Sequence, residues 1–141
     1  MKIGFEISTD KSRLDIKLIH DYLSKESYWA KGRSIETVKK SIKNSLCFGV
    51  FQDNKQVGFA RVVTDYSVFA WIMDLFILKD YQRKGLGKDL MSKIMNHEKL
   101  QNLQRWGLAT FDAHGLYKKF GFKPLDKPEY MMEISNIKIA D

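Results

Sequence analysis

The sequence is short of cysteine, proline and long hydrophobic runs, and each shortage excludes something. Cys47 is the single cysteine among 141 residues, so no disulfide framework can be built and a reducing, cytoplasmic setting is expected. Pro124 and Pro128 are the only prolines, and no low-complexity tract, repeat or linker interrupts the chain. A single domain over residues 1–141 is therefore expected. The longest apolar run, Val68 to Leu78, is too short to span a bilayer and carries Asp74. The opening stretch MKIGFEISTDK has no apolar core of the kind a secretory signal needs, so no membrane association is expected. His20, His97, His114 and Cys47 fall at no ligand spacing, which leaves no metal site to expect.

What is present fits a folded globular protein: 44% hydrophobic and 13% aromatic residues. The net charge is +7, from 24 Lys+Arg against 17 Asp+Glu. Such a balance suits an anionic ligand or a phosphate-bearing cofactor, and equally a solvated surface. The basic residues are scattered rather than gathered into an arm or an arginine-rich helix, and the aromatics follow core-like patterns. A nucleic-acid partner is therefore not expected.

Periodicity gives the order β-α-α-β-β-β-α-β-α-β. Ile3, Phe5 and Ile7 alternate in a strand over Lys2 to Ser8. Ser12 and Asp15 resemble a capping box ahead of a helix carrying Leu14, Leu18, Ile19, Tyr22 and Leu23. Ser34 can cap a second helix with Ile35, Val38 and Ile42 on one face. Leu46–Gln52 and Gln56–Thr64 form a hairpin about Asp53-Asn54-Lys55. Phe69–Leu78 reads as a strand covered on both faces. Gly85–Glu98 is helical, Trp106–Phe111 a strand, His114–Phe120 a short helix and Tyr130–Ile134 a final strand. The crossover from Phe69–Leu78 to Trp106–Phe111 makes those strands parallel.

The stretch YQRKGLGKDL, residues 81–90, joins that strand to a helix. It is not a P-loop, because Gln82 stands where the first glycine belongs and Asp89 replaces the hydroxyl residue. Nor is it a dinucleotide fingerprint, because Leu90 replaces the third glycine. It does match Q/R-x-x-G-x-G/A over Gln82, Arg83, Lys84, Gly85, Leu86 and Gly87. The glycines let the backbone approach an anion, the first helical amides point outward unpaired, and Arg83, Lys84 and Lys88 raise the potential. The plain alternative is an ordinary strand-to-helix turn.

About thirty residues downstream comes GLYKKFGF, residues 115–122, after a strand. The pair, in this order and at this separation, resembles motifs A and B of the GNAT superfamily of acetyl-coenzyme A-dependent N-acetyltransferases. The resemblance extends to the two front helices and to the hairpin with QVGFARVVTD. It implies the GNAT fold: an α/β architecture with a mixed central sheet, splayed parallel strands and flanking helices. It implies acetyl-CoA as acetyl donor, with Gln82 to Lys88 holding its pyrophosphate. The main chain of Leu75 and Ile77 would pair with the pantetheine arm, and an amide near Leu75 would face the thioester oxygen. The acceptor would be a primary amine of a small molecule or a peptide, attacked directly in a ternary complex.

By the same resemblance Asp74 is a candidate general base, since its apolar neighbours would disfavour the charged form. The alternative is a structural carboxylate paired with Arg61 or a backbone amide. Tyr117 matches the motif B tyrosine that protonates the leaving thiolate; the alternative is a core aromatic. Thr110 stands where the family frequently has an asparagine bonding the pantetheine, and a threonine cannot make both amide bonds. Asp112 reads as a cap for the following helix, and His114 as a substrate or relay residue or a plain surface histidine. Tyr28, Trp29 and Arg33 would wall the acceptor, or pack and solvate without contacting it; Phe69 and Trp71 are possible apolar lining. Two alternatives remain: a coenzyme A-binding sensor without turnover, and an enzyme directed at aminoacyl-tRNA. A homodimer through the last strand and Ile137-Lys138-Ile139 is also possible.

Overall fold

Alternating apolar residues in the front half pair into an antiparallel sheet, and the crossover adds one parallel strand. The computed structural model describes residues 3–136. Five strands, β1 (Phe5–Ser8), β2 (Leu46–Gln52), β3 (Lys55–Thr64), β4 (Phe69–Ile77) and β5 (Arg105–Leu108), lie side by side in chain order. All neighbours are antiparallel except β4 and β5. The β2–β3 turn is tight because Asp53 and Asn54 both take positive φ, 50° and 67°, which their short polar side chains tolerate.

Helices cover both faces. Ile19, Leu23, Val38 and Ile42 from α1 (Ile16–Asp21), its continuation and α2 (Ile35–Lys43) pack on Cys47, Phe59 and Phe76. Leu86, Leu90, Met91 and Ile94 of α3 (Leu86–Met95) and Tyr117 of α4 (His114–Lys118) pack on Phe48, Val50, Val57 and Ile72. Ser34 caps α2 as expected, accepting from Thr37 N–H.

Several boundaries differ from expectation. Asp15, not Ser12, caps α1, accepting from Leu18 N–H at 3.0 Å; Asp10 instead holds a short turn at Lys11–Arg13. After six residues α1 widens into a π turn over Tyr22–Glu26. There Ser24 and Ser27 hydroxyls donate back to His20 and Leu23 carbonyls, a competition that loosens helices. β5 ends at Leu108 rather than Phe111. Asp112 does not cap α4, whose N-cap is Ala113 without a side-chain bond; Thr110 Oγ1 accepts from Ala113 N–H instead. No strand forms over Tyr130–Ile134: Pro128–Tyr130 is a 3-10 turn, and residues 131–136 take no regular structure. Ile137-Lys138-Ile139 lies outside the described residues.

Candidate active site

One irregularity in β4 shapes the site. Phe59 lies opposite Phe76, but Arg61 lies opposite Met73. Two steps along β3 thus match three along β4, so β4 carries a bulge. Asp74 supplies it, at φ 56°, a conformation aspartate accepts more readily than most side chains. The extra residue changes which face Asp74 uses. Strict alternation from Ile72 would send it toward α3, among apolar side chains. The bulge leaves it beside Met73 on the α1/α2 face, where both touch Arg61.

There the carboxylate is fully engaged. Asp74 Oδ2 accepts from Arg61 Nε at 2.6 Å and Arg33 Nη1 at 2.8 Å, and Oδ1 accepts from Trp29 Nε1 at 2.9 Å. The Asp74 side chain is 0% exposed, that of Arg61 9% and that of Arg33 18%. Arg61 also donates to Ser45 Oγ. Trp29 and Arg33 both belong to the loop that follows the π turn. Their backbone is tied down by Ala30 N–H to Ser27 Oγ, Gly32 N–H to Ser24 O, and His20 Nε2 to Arg33 O. Asp74 thus joins the α1–α2 loop to the bulge of β4.

Beyond Ile72 and Leu108, the last paired residues of β4 and β5, the parallel strands part. Leu78 N–H donates to Val57 O at 2.9 Å, so by alternation the amides of Leu75 and Ile77 face the gap instead. Gln82 Nε2 already donates to Ile77 O at 2.9 Å from that side. A cavity of about 400 Å³ opens in the gap, lined by Tyr28, Trp29, Arg33, Trp71, Met73, Asp74, Leu75, Thr110, Phe111, Asp112 and Tyr117, among others. Tyr117 is 8% exposed, and its hydroxyl has no hydrogen-bond partner among the described residues. Burial, helped by Tyr28 and Asp112, pushes its phenol up to about 12. It is a proton donor across the neutral range, not a base.

The glycine loop meets this cavity through α4. Gly85 takes φ 79° as the N-cap of α3, and Arg83 also has a positive φ of 64°. Asp89 N–H reaches Gly85 O at 3.0 Å, which leaves the amides of Leu86, Gly87 and Lys88 as the unpaired first turn. Packing within the chain does not demand glycine at 87: a Cβ there would meet nothing nearer than Leu116 Cδ2 at 3.7 Å. Gly87 is thus free of internal crowding and lies next to the residue preceding Tyr117. Arg83, Lys84 and Lys88 are exposed around it. Donors, an open backbone and positive charge all fit a pyrophosphate.

The cavity gathers Asp74, Leu75, Thr110, Tyr117, Trp29 and Arg33. The loop Gln82–Lys88 stands at its side, and Ile77 lies in the core, 8% exposed, with its carbonyl bonded to Gln82. His114 is exposed at the start of α4 and does not line the cavity. Phe111 and Asp112 were missed as lining residues. Phe111 is 81% exposed, packs edge-on to Tyr28 and donates its N–H to Tyr28 Oη at 2.8 Å. Only the end of β5 three residues early brings this pair to the cavity, and no sequence signal marks that end.

Comparison with known proteins agrees with this geometry. Residues 43–124 match the family model "Acetyltransferase (GNAT) domain". A Xanthomonas campestris pv. campestris protein assigned to the GNAT family is 47% identical, with TM-score 0.91, over 93% of this chain and 92% of that one. The spermine/spermidine N(1)-acetyltransferase of Bacillus subtilis is 28% identical over 87% of this chain and 89% of its own length. A GNAT acetyltransferase of Elizabethkingia anophelis, solved with acetyl-CoA bound, shares the fold at TM-score 0.66 and 16% identity, covering 89% of this chain and 80% of that one. The chain belongs to the GNAT acetyltransferase family. It is an N-acetyltransferase, and its general reaction is acetyl-CoA-dependent acetyl transfer. Among the described residues no helix is long and apolar enough to cross a membrane, and no cluster of His, Cys, Asp and Glu could hold a metal.

Proposed function

We propose that this chain transfers the acetyl group of acetyl-CoA directly to a primary amine held in the cavity between β4 and β5. The observation that carries the reading is the unpartnered Tyr117 hydroxyl in a cavity shared with the open edge of β4 and adjoining the Gly85–Lys88 cradle. Acetyl-CoA supplies an activated acyl group. The first-turn amides of α3 with Arg83, Lys84 and Lys88 hold its phosphates, the amides of Leu75 and Ile77 align the pantetheine, and Thr110 lends its hydroxyl proton. The Leu75 amide faces the thioester oxygen, where charge develops. A C–N bond forms as the C–S bond breaks, the amine proton passes to water in the open cavity, and Tyr117 donates to the sulfur as it gains charge.

Direct transfer is favoured because the cavity lining holds no thiol, amine or imidazole. The one cysteine, Cys47, is buried under α2, and burial pushes its thiol up to about 11. An acetyl-enzyme on that sulfur has no route to form.

Asp74 is read as the clamp for the acceptor loop, with Arg33 and Trp29 placed by it rather than by substrate. The unmatched charge in the cavity is then Asp112, exposed and in no ion pair among the described residues. With Tyr28, Phe111 and Trp71 nearby, it favours an amine carrying a second positive charge, which the polyamine activity of the Bacillus relative supports. Asp112→Asn is expected to raise KM for a diamine up to about fivefold at low salt and to leave a monoamine of equal length unchanged. Equal effects on both would remove Asp112 from the acceptor site.

Calorimetric titration with acetyl-CoA tests the cofactor part. Wild type is expected to bind with micromolar affinity. Gly87→Glu, which finds room beside Leu116 but puts a carboxylate on the cradle, is expected to lose at least tenfold. Equal binding by a folded variant would show that the phosphates lie elsewhere.

A further inference from the structure

β5 carries a glycine inside a strand, where a side chain would ordinarily add packing. Gly107 lies directly opposite Trp71 of β4 in the parallel ladder, and the Trp71 indole lies across it. A Cβ at 107 would stand 2.4 Å from Trp71 Cζ3 and 2.5 Å from Cε3, well inside van der Waals contact. The glycine is what lets the ring lie down on the sheet. Phe69, two residues earlier and so on the same face, runs alongside the indole with centroids 6.1 Å apart and planes at 16°. The indole is thus held by backbone beneath it and by an aromatic ring on the side toward the β3–β4 turn.

That ring is a partition. On one side lies the cavity of about 400 Å³ that holds Asp74, Leu75 and Tyr117. On the other, a groove of about 530 Å³ runs between β5 and residues 120–131, walled by Phe69, Trp106, Phe122, Leu125 and Tyr130. Among the described residues Trp71 alone lines both. It stands four positions before Leu75, whose amide faces the reacting carbonyl in the reading above. Four residues of strand span about 13 Å at most, and the bulge at Asp74 shortens that.

We infer that Trp71, laid flat by Gly107, is the end wall of the acceptor site and sets the longest amine the enzyme accepts. The inference rests on the reading of this cavity as the amine site. An acceptor with its nitrogen at the thioester and its body along β4 runs into the indole. Removing the ring opens the way into the groove, whose apolar walls suit an uncharged tail. Arg105, Lys123 and Lys127 also line the groove and disfavour a second ammonium there. A side chain at 107 acts in the opposite sense. It drives the indole off the strand, Phe69 bars the way toward the turn, and the ring moves into the cavity.

The test is kcat/KM for unbranched primary amines of increasing length, with one terminal ammonium or two, measured beside KM for acetyl-CoA. Wild type is expected to fall off sharply at one chain length. Trp71→Ala is expected to move that limit to longer chains, raising kcat/KM at least tenfold for the first monoamine that wild type rejects, and less for the diamine. Gly107→Ala is expected to move it to shorter chains, lowering kcat/KM at least tenfold for the longest amine that wild type accepts. KM for acetyl-CoA is expected to stay unchanged in both. A damaged fold lowers every length together, so opposite shifts of the limit belong to a wall alone. Trp71→Leu, which keeps an apolar cover on Gly107, makes the same measurement if the alanine variant does not fold. A limit that stays in place in both variants, or a wild type with no limit, would overturn the proposal and leave the amine site standing. A wild type that binds acetyl-CoA yet acetylates neither series would overturn both.

Discussion

Asp74→Asn is expected to lower the melting temperature by roughly 10 °C, from the loss of about 3 kcal/mol when one member of a buried ion cluster is neutralised. The magnitude follows from what stays behind. Arg61 and Arg33 are 9% and 18% exposed, and without the carboxylate two guanidinium charges face each other with little water. Asparagine keeps the size and the tolerance for φ 56°, so the change is one of charge. The kinetic consequence separates a clamp from a base. A lost base lowers kcat by about 10²–10⁴ and removes the acid limb of the pH profile, with stability nearly unchanged. A lost clamp frees Trp29, Arg33 and their loop, raises KM for the amine several-fold and leaves the acid limb in place. The second pattern is expected. A stable variant whose acid limb has vanished would return Asp74 to the role of base.

The same residue shows where the sequence is legible and where it is not. The strand from Phe69 was readable from its apolar run, and the glycine loop from its spacing, because both are local. So were the parallel crossover and the Ser34 cap. The facing of Asp74 was not, because a bulge inserts one residue into β4 and inverts the alternation from which facing is read. Arg61 was legible as a partner, being on the adjacent strand. Arg33 and Trp29 lie 41 and 45 positions away, and nothing local marks that pairing. The failed final strand has a different cause: Tyr130–Ile134 has strand composition, but pairing needs an edge within reach, and residues 120–131 stand off from β5 across the groove.

Tyr117→Phe is expected to lower kcat by about 10²–10³, the usual loss when one preorganised donor is removed from a developing charge. Acetyl-CoA affinity should stay within about twofold, because the phosphates are held elsewhere. The phenol at about 12 is a weaker acid than an ordinary thiol at about 8.5. Outright protonation of the thiolate by Tyr117 is therefore uphill, and its contribution is a hydrogen bond that strengthens as the sulfur gains charge. Such a bond lowers kcat and kcat/KM together when lost. The pH behaviour follows with a definite sign. The phenol is raised from its ordinary 10 to about 12 in the folded chain, so below pH 10 both folded and unfolded forms hold the proton. Tyr117 contributes no pH dependence there. As pH rises through the interval from 10 to about 12, the unfolded chain releases the proton first, and stability falls. Tyr117→Phe should remove that part of the alkaline loss while leaving neutral stability close to wild type. In kinetics, Tyr117 should place no basic limb below pH 10. An activity decline near pH 8 that disappears in Tyr117→Phe would mean that the phenol titrates in the working range and is the acid itself.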